Sequence, residues 1–376
     1  MATQVPNRML AFDGGNFAFR NKIINGDFRI DQRLALSVDN TNAAIKWVGD
    51  RWFAGFTAVN TFNTQCLLSD APVGFRNSAR VTLATKRTPA ANDLYCFVQR
   101  IETQNLYNLN YGTASAKPIT ISFWVKSSII GTYSARVLYS NDTTPALSYV
   151  YTYTINQANT WEFKIVTIPG NTTQGFYIAP NSIGFDVLWN LGTGSTRSTA
   201  STNQWLAGDF HTANSTISFV NQTAGATWQI AGVQLEEGSF ATPFEQRPIG
   251  TELALCQRYY EKSYPVDVAP GAVNDYRGST YELQAVYTTN LFSGALLKAT
   301  FKQTKRTPAP TITVYNPNNG TANQLSIWSN GTTWNRNVAI STPTADHTRA
   351  LIWPTAGTTV NSGYICIAHW TVDAEL

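Results

Sequence analysis

Charge is scarce in this chain. Asp, Glu, Lys and Arg make up 13% of its 376 residues, about half the share usual in globular proteins. The 27 basic and 23 acidic side chains leave a formal charge of +4. No Lys/Arg block of the kind that follows a phosphate backbone occurs, so no nucleic-acid partner is expected. The doublets Lys86-Arg87 and Lys305-Arg306 each precede Thr-Pro and read as solvated turns. Histidine is limited to His211, His347 and His369, each isolated. The four cysteines, Cys66, Cys96, Cys256 and Cys366, are far apart with no C-x-x-C pair. That spacing excludes zinc-ribbon and thioredoxin-type motifs and suits small buried hydrophobes. No apolar run reaches the ~20 residues that span a bilayer, and the first residues lack an apolar signal core. Membrane insertion is therefore not expected, and assembly in a cytoplasm is. Gly-x-Ser-x-Gly, His-Glu-x-x-His and P-loop patterns are missing too. Glu236 and Glu237 are adjacent on an expected strand, so they point to opposite faces and cannot form a glycosidase pair. No enzyme activity is expected.

Thr, Asn, Ser and Gln supply the polarity instead, alongside 11 Trp, 17 Tyr and 19 Phe. Hydroxyl-bearing and aromatic side chains suit a pleated surface. Short runs of period two follow from about Asn21. In Ile119–Lys126 the residues Ile119, Ile121, Phe123 and Val125 share one face, leaving Trp124 on the other. Tyr149–Ile155 and Trp161–Ile165 alternate likewise. Trp52, Phe123 and Trp228 lie in such runs and read as core. Asn/Gly/Thr/Pro clusters separate the runs, as in Ile168–Gly175, which argues for a sandwich or jelly roll. One helix is expected, over Thr251–Lys262, with Leu253, Cys256 and Tyr260 on one stripe. At about three turns it is too short to stand alone. Strands are expected again at Leu283–Tyr287, Ala295–Phe301, Thr311–Tyr315, Gln324–Trp328 and Tyr364–Trp370.

The fold class expected is all-β. Residues 1–20 form an N-terminal attachment arm, 21–247 a jelly-roll domain, 248–264 a short helical junction and 265–376 a second, smaller β-sandwich.

Several segments resemble bacteriophage tail-fibre and other virion structural proteins that carry a carbohydrate-binding-module-like jelly roll. Asn21–Arg33, with Ile24-Asn-Gly-Asp-Phe28 and Gln32-Arg33, resembles their opening strand. Gly49-Asp-Arg-Trp-Phe53 resembles their Asp-Arg-Trp strand, and Lys117–Ser127 their Ser-Phe-Trp-Val strand. Trp228–Glu236 resembles the closing strand. The run Ala231–Tyr260 resembles the junction that follows it. Lys305–Thr313 and Ala368–Leu376 are similar, less closely, to a C-terminal module. The resemblance implies a virion structural role, as a tail fibre anchored by its N-terminus to other virion proteins and assembled as a homotrimer. A head fibre, collar or decoration protein is the alternative, and a polysaccharide depolymerase a more remote one.

Candidate sites follow from side-chain chemistry. Sugars stack on Trp and Tyr faces while amides and Arg satisfy their hydroxyls. Trp328, Trp334, Asn335, Arg336 and Trp353, in loop-like polar sequence, are the glycan-binding candidates. Their alternative role is to cap the core or a subunit contact. Leu253, Cys256 and Tyr260 are candidates for a trimer interface, the alternative being packing beneath the first sandwich. No cofactor is expected. The resemblance admits a structural calcium near the first strand, for which Asp27, Asp31 and Asp50 are the matching acids. Calcium wants about six to eight oxygens.

Overall fold

The clearest alternation becomes the middle of a sheet. Residues Ile119, Ile121, Phe123 and Val125 are all fully buried, and Ile119–Ser127 is hydrogen-bonded on both sides. The computed structural model describes residues 19–34, 45–58, 61–139, 146–176, 179–283, 297–329, 333–355 and 365–376.

Within these the first module contains β1 (Ile45–Trp47), β2 (Phe53–Phe56), β3 (Phe62–Leu68), β4 (Ser78–Leu83), β5 (Leu94–Glu102), β6 (Ile119–Ser127) and β7 (Gly131–Tyr139). It continues through β8 (Leu147–Ile155), β9 (Glu162–Ile168), β10 (Ile183–Thr193), β11 (Ser198–Thr199), β12 (Trp205–Ala207), β13 (Thr212–Ala213) and β14 (Thr227–Glu237). A seven-stranded sheet of order β1-β2-β5-β10-β7-β8-β12 faces a five-stranded sheet of order β3-β4-β14-β6-β9. Their inner faces enclose one large core rich in aromatics. Trp52 stacks on Phe97 at 5.2 Å and touches Trp189 at 5.8 Å, while Trp228 reaches Phe97 at 5.6 Å. Trp52, Phe123 and Trp228 are fully buried, as their positions in the period-two runs imply. This is a jelly-roll-type sandwich.

Helix α1 (Ile249–Gln257) follows. It stops short of the expected Lys262, because Tyr260–Lys262 forms strand β15, which pairs with the last strand. The second module adds β16 (Thr280–Leu283), β17 (Leu297–Thr300), β18 (Thr311–Tyr315), β19 (Gln324–Ser329), β20 (Thr333–Ala339), β21 (Thr344–Ala345), β22 (Arg349–Ile352) and β23 (Ile365–Asp373). Strand β23 is its hub, since β15 and β18 pair with its end and β16 and β19 with its start. A three-stranded sheet of order β17-β22-β21 closes a smaller core around Ile327, Trp370 and Val372. The fold is all-β with two sandwiches, and α1 is the one α-helix among the described residues.

The stretch Asn21–Arg33 was expected to open the sandwich as a strand, and it does not. It is an irregular buried segment with Asn25 at φ 57° and Phe28 at φ 54°. Left-handed φ breaks any ladder, and the Asn25 side chain supplies the reason. Its amide donates to the Ile30 carbonyl at 2.7 Å and the Asp50 carbonyl at 3.0 Å, and its oxygen accepts the Ile30 N–H at 3.0 Å. Such local side-chain bonds compete with secondary structure.

Candidate functional site: the joint between the modules

Several of the segments that carry the resemblance converge on one place. Gly26 lies against the bulge in β14, with its carbonyl accepting the Val233 N–H at 2.9 Å. A Cβ on Gly26 would sit 2.1 Å from the Val233 carbonyl oxygen, so only glycine fits. Trp52 donates its indole N–H to the Asn25 carbonyl at 2.9 Å. The Asn25 N–H donates to Glu252 of α1 at 2.5 Å. Glu252 in turn accepts from Arg247 at 3.2 Å. Arg247 also donates to the carbonyls of Asn21 and Ile23. Glu252 and Arg247 are 4% and 7% exposed, so their charges are compensated by each other, by Glu245 at 3.4 Å from Arg247 and by these bonds. A shallow surface depression lies here, lined by Asp27, Arg29, Glu245, Arg247 and Glu252 among others.

A second layer ties this node to the C-terminal module. Arg33 is sandwiched between the rings of Trp47 (4.5 Å) and Tyr260 (3.7 Å) and bonds Asp373 at 3.0 Å. Arg51 lies 3.4 Å over the Tyr259 ring and pairs with Glu375. Arg100 donates to the Leu376 carbonyl at 2.6 Å. Arg306 donates to the carbonyls of Ala374 and Glu375 at 2.7 Å each and to Asn181 at 2.9 Å. Arg258 grips Glu102 of β5 at 2.8 and 2.9 Å. Lys305 pairs with Glu261 at 2.5 Å, both side chains fully buried. The expectation that Lys305-Arg306 forms a solvated turn is therefore corrected: both cations fasten the joint. Lys86 does stand exposed.

The expected interface residues lie inside this joint. Cys256 is fully buried and Tyr260 is 6% exposed, in contact with Ile24, Ile30, Tyr259 and Arg33. They have no surface left for a second copy, which corrects the expectation of a trimer contact there. Leu253 is half-buried beside the same cluster. Burial pushes the Cys256 thiol well above its usual range, as it does Cys96, to about 12.

The three acids proposed for calcium go different ways. Asp27 pairs with Arg29, and burial raises its pKa. Asp50, fully buried, accepts from Gln32 through both oxygens at 2.8 and 2.5 Å. Asp31 and Asp50 act on Lys262, whose ammonium donates to the carbonyls of Val266 and Val268 at 3.0 and 2.6 Å. Among the described residues no three His, Cys, Asp or Glu side chains converge as a metal cage. Burial pulls the Lys262 amine down to about 8 against the attraction of Asp50, Asp31 and Asp267.

Of the glycan candidates, Trp328 and Trp334 are cross-strand partners in the β19–β20 hairpin, and Arg336 pairs with Ile327. The side chains of Trp328, Trp334, Asn335 and Arg336 lie outside the described residues. Trp353, just past β22, is half-buried.

Other titratable groups take part in structural contacts. His369 is buried, stacked on Tyr264 at 3.7 Å. Its Nδ1 is 2.8 Å from the Ser263 hydroxyl and its Nε2 is 2.6 Å from the Asp275 carbonyl. Ser263 also accepts the Trp370 N–H at 2.9 Å, which makes this a strand-locking pair. Burial lowers the pKa of His369 and keeps the ring neutral. Asp209 is shared by Arg136, Arg197 and His211 at 3.0, 2.6 and 2.8 Å. Glu236 is buried and bonds Thr242, whereas Glu237 faces Lys117 at 2.6 Å.

Comparison with known proteins places the chain as follows. No protein-family model matches it, and no curated protein does. Solved structures similar to part of it include the enzymatically active domain of bacteriophage CBA120 tailspike protein 4, at 12% identity and TM-score 0.31. That match covers 58% of this chain and 21% of the tailspike chain, so the chain spans about a fifth of the tailspike's length. A CBM4 carbohydrate-binding module aligns over 57% of this chain and 97% of its own, at 16% identity and TM-score 0.28. A family 30 carbohydrate-binding module aligns over 58% and 96%, at 10% identity and TM-score 0.28.

Proposed function

We propose that this chain is a non-catalytic structural protein of a bacteriophage virion, a tail fibre that holds a glycan-binding surface at a fixed attitude. The observation that carries this reading is the joint. The segments that resemble virion fibre proteins, around Asn25, Asp50-Arg51-Trp52 and Glu252, lock α1 to the first module. Four arginines then bind residues 373–376. A joint of buried ion pairs and ring-stacked guanidinium groups suits a part that transmits position. The N-terminal arm, whose residues 1–18 lie outside the described residues, is the attachment to other virion proteins. The β19–β20 hairpin with Trp328 and Trp334 is the glycan-binding end, and several copies per particle turn weak contacts into avidity. The fibre assembles from copies of itself as a homotrimer.

Two measurements test this. Antibody against the C-terminal module, seen by electron microscopy, should decorate the tail appendages of purified particles. Label on the head or collar would move the protein to the head-fibre or decoration alternative, and unlabelled particles would remove the virion role. Trp334→Ala should weaken adsorption to host cells without lowering the melting temperature. Release of oligosaccharide from host polysaccharide by the purified chain would instead make it a depolymerase.

A further inference from the structure

The loop between β3 and β4 lays one carboxylate against the outer face of the five-stranded sheet. Asp70 accepts from the Lys126 ammonium at 2.5 Å and from the Gln229 amide at 3.3 Å. Lys126 and Gln229 are cross-strand partners on β6 and β14, so the sheet fixes their spacing. Burial would raise the Asp70 pKa, but Lys126, Gln229 and Trp161 hold it below its usual value. The carboxylate therefore carries its charge at neutral pH, and its side chain is still 49% exposed. That leaves acceptor capacity facing solvent. Aromatic rings stand beside it. The Lys126 ammonium lies 5.1 Å over the Trp161 ring. Trp161, just before β9, and Phe163, within it, are two residues apart and share a face. Phe163 is 43% exposed and meets Trp124 of β6, rings 5.2 Å apart. Gln229 is 4% exposed, yet its side-chain oxygen has no protein partner. An orphaned buried acceptor costs free energy until a donor reaches it.

We propose that this corner of the first module is a second saccharide site, which takes a neutral sugar unit of the host-surface glycan. The proposal rests on the glycan-binding part of the proposed function and adds a surface remote in sequence from the β19–β20 hairpin. Three features select the ligand chemistry. First, the partly exposed rings offer flat faces on which the C–H face of a sugar stacks. Second, an acceptor and a donor stand together beside those rings. Asp70 can receive hydroxyl protons, and Lys126 can donate to hydroxyl or ring oxygens. The two charges cancel within the pair, which favours a neutral ligand over a phosphate or a uronate. Arg80, next to Gln229 on β4, is turned to Gln65 at 3.0 Å. Third, an apolar partner would strip water from Asp70 and Lys126 without replacing its hydrogen bonds. A polyhydroxyl ligand replaces them.

The test is an array of neutral and acidic bacterial glycans probed with the labelled full-length chain, followed by titration of the best-bound oligosaccharide with Trp emission as the readout. The wild type should prefer neutral glycans, and its Trp emission should shift on binding. Phe163→Ala and Asp70→Asn, both at solvent-facing positions, should weaken binding on the order of 10-fold or more. Their melting temperatures and their masses by light scattering should match the wild type. Full affinity in both variants would overturn this site, and binding that is then lost in Trp334→Ala would leave the glycan-binding reading standing at the hairpin alone. A wild type that binds no glycan would overturn both. A preference for acidic glycans would overturn the neutral ligand class. A fall in oligomeric mass in Phe163→Ala, with glycan affinity intact, would make the corner a contact between copies and overturn the proposal.

Discussion

Replacing Glu252 by alanine should do far more damage than one surface carboxylate accounts for. Glu252 is 4% exposed, receives the Asn25 N–H at 2.5 Å, and holds Arg247 at 3.2 and 3.3 Å. Glu252→Ala strands a buried N–H and removes the nearer counter-charge of a guanidinium that is 7% exposed. Breaking a buried pair costs about 3–5 kcal/mol. Glu245 remains 3.4 Å from Arg247, so the loss belongs at the low end, about 3 kcal/mol. At about 2.1 cal/mol/K per residue, a single folding unit of 376 residues moves by ~1.3 °C per kcal/mol. The melting temperature should therefore fall by roughly 4 °C. Glu237→Ala is the control. Glu237 pairs with Lys117 at 2.6 Å with both side chains a third or more exposed, and such pairs contribute at most about 1 kcal/mol. Urea melts of wild type and both variants measure the difference. Equal small losses for Glu252→Ala and Glu237→Ala would refute the claim that the joint depends on its buried charges.

Two further outcomes follow from the same geometry. Gly26→Ala places a methyl 2.1 Å from the Val233 carbonyl oxygen and should cost about 3 kcal/mol. Gly250→Ala, in α1 with nothing within 4 Å, should be neutral or stabilising by up to about 1 kcal/mol; denaturant melts distinguish them. Lys262 gives a pH dependence. Its folded pKa is lowered to about 8 from 10.5, so between those values the unfolded chain holds more protons than the folded one. Stability from this group therefore rises as pH climbs from about 8 towards 10.5. Lys262→Met should flatten that slope in melts across this range, and an unchanged slope would show that Lys262 is not the group responsible.

Much of the β architecture was legible because period two reports directly on a strand. Ile119–Ser127 and Tyr149–Ile155 bury the faces their spacing implies. The same signal misleads at Trp161–Ile165. Alternation shows that two faces differ, not which one meets the core, and here Phe163 and Ile165 are outside while Glu162 and Lys164 point in. The helix end was misplaced because Tyr260–Lys262 is claimed by pairing with Thr371–Asp373, more than 100 residues away. The joint was invisible for the same reason. Asn25 meets Glu252 and Arg33 meets Asp373, and no local pattern links such positions. A signal did exist. In a chain so poor in charge, charged residues set among aromatics, as in Asp50-Arg51-Trp52-Phe53 and Arg258-Tyr259-Tyr260, mark sites where charge is held by design of the fold.

The central claim is that the two sandwiches act as one rigid body. Scanning calorimetry of the full-length chain tests it most directly. A single transition, with calorimetric and van't Hoff enthalpies that agree, is the predicted result. Two separate transitions, one for each module, would contradict it.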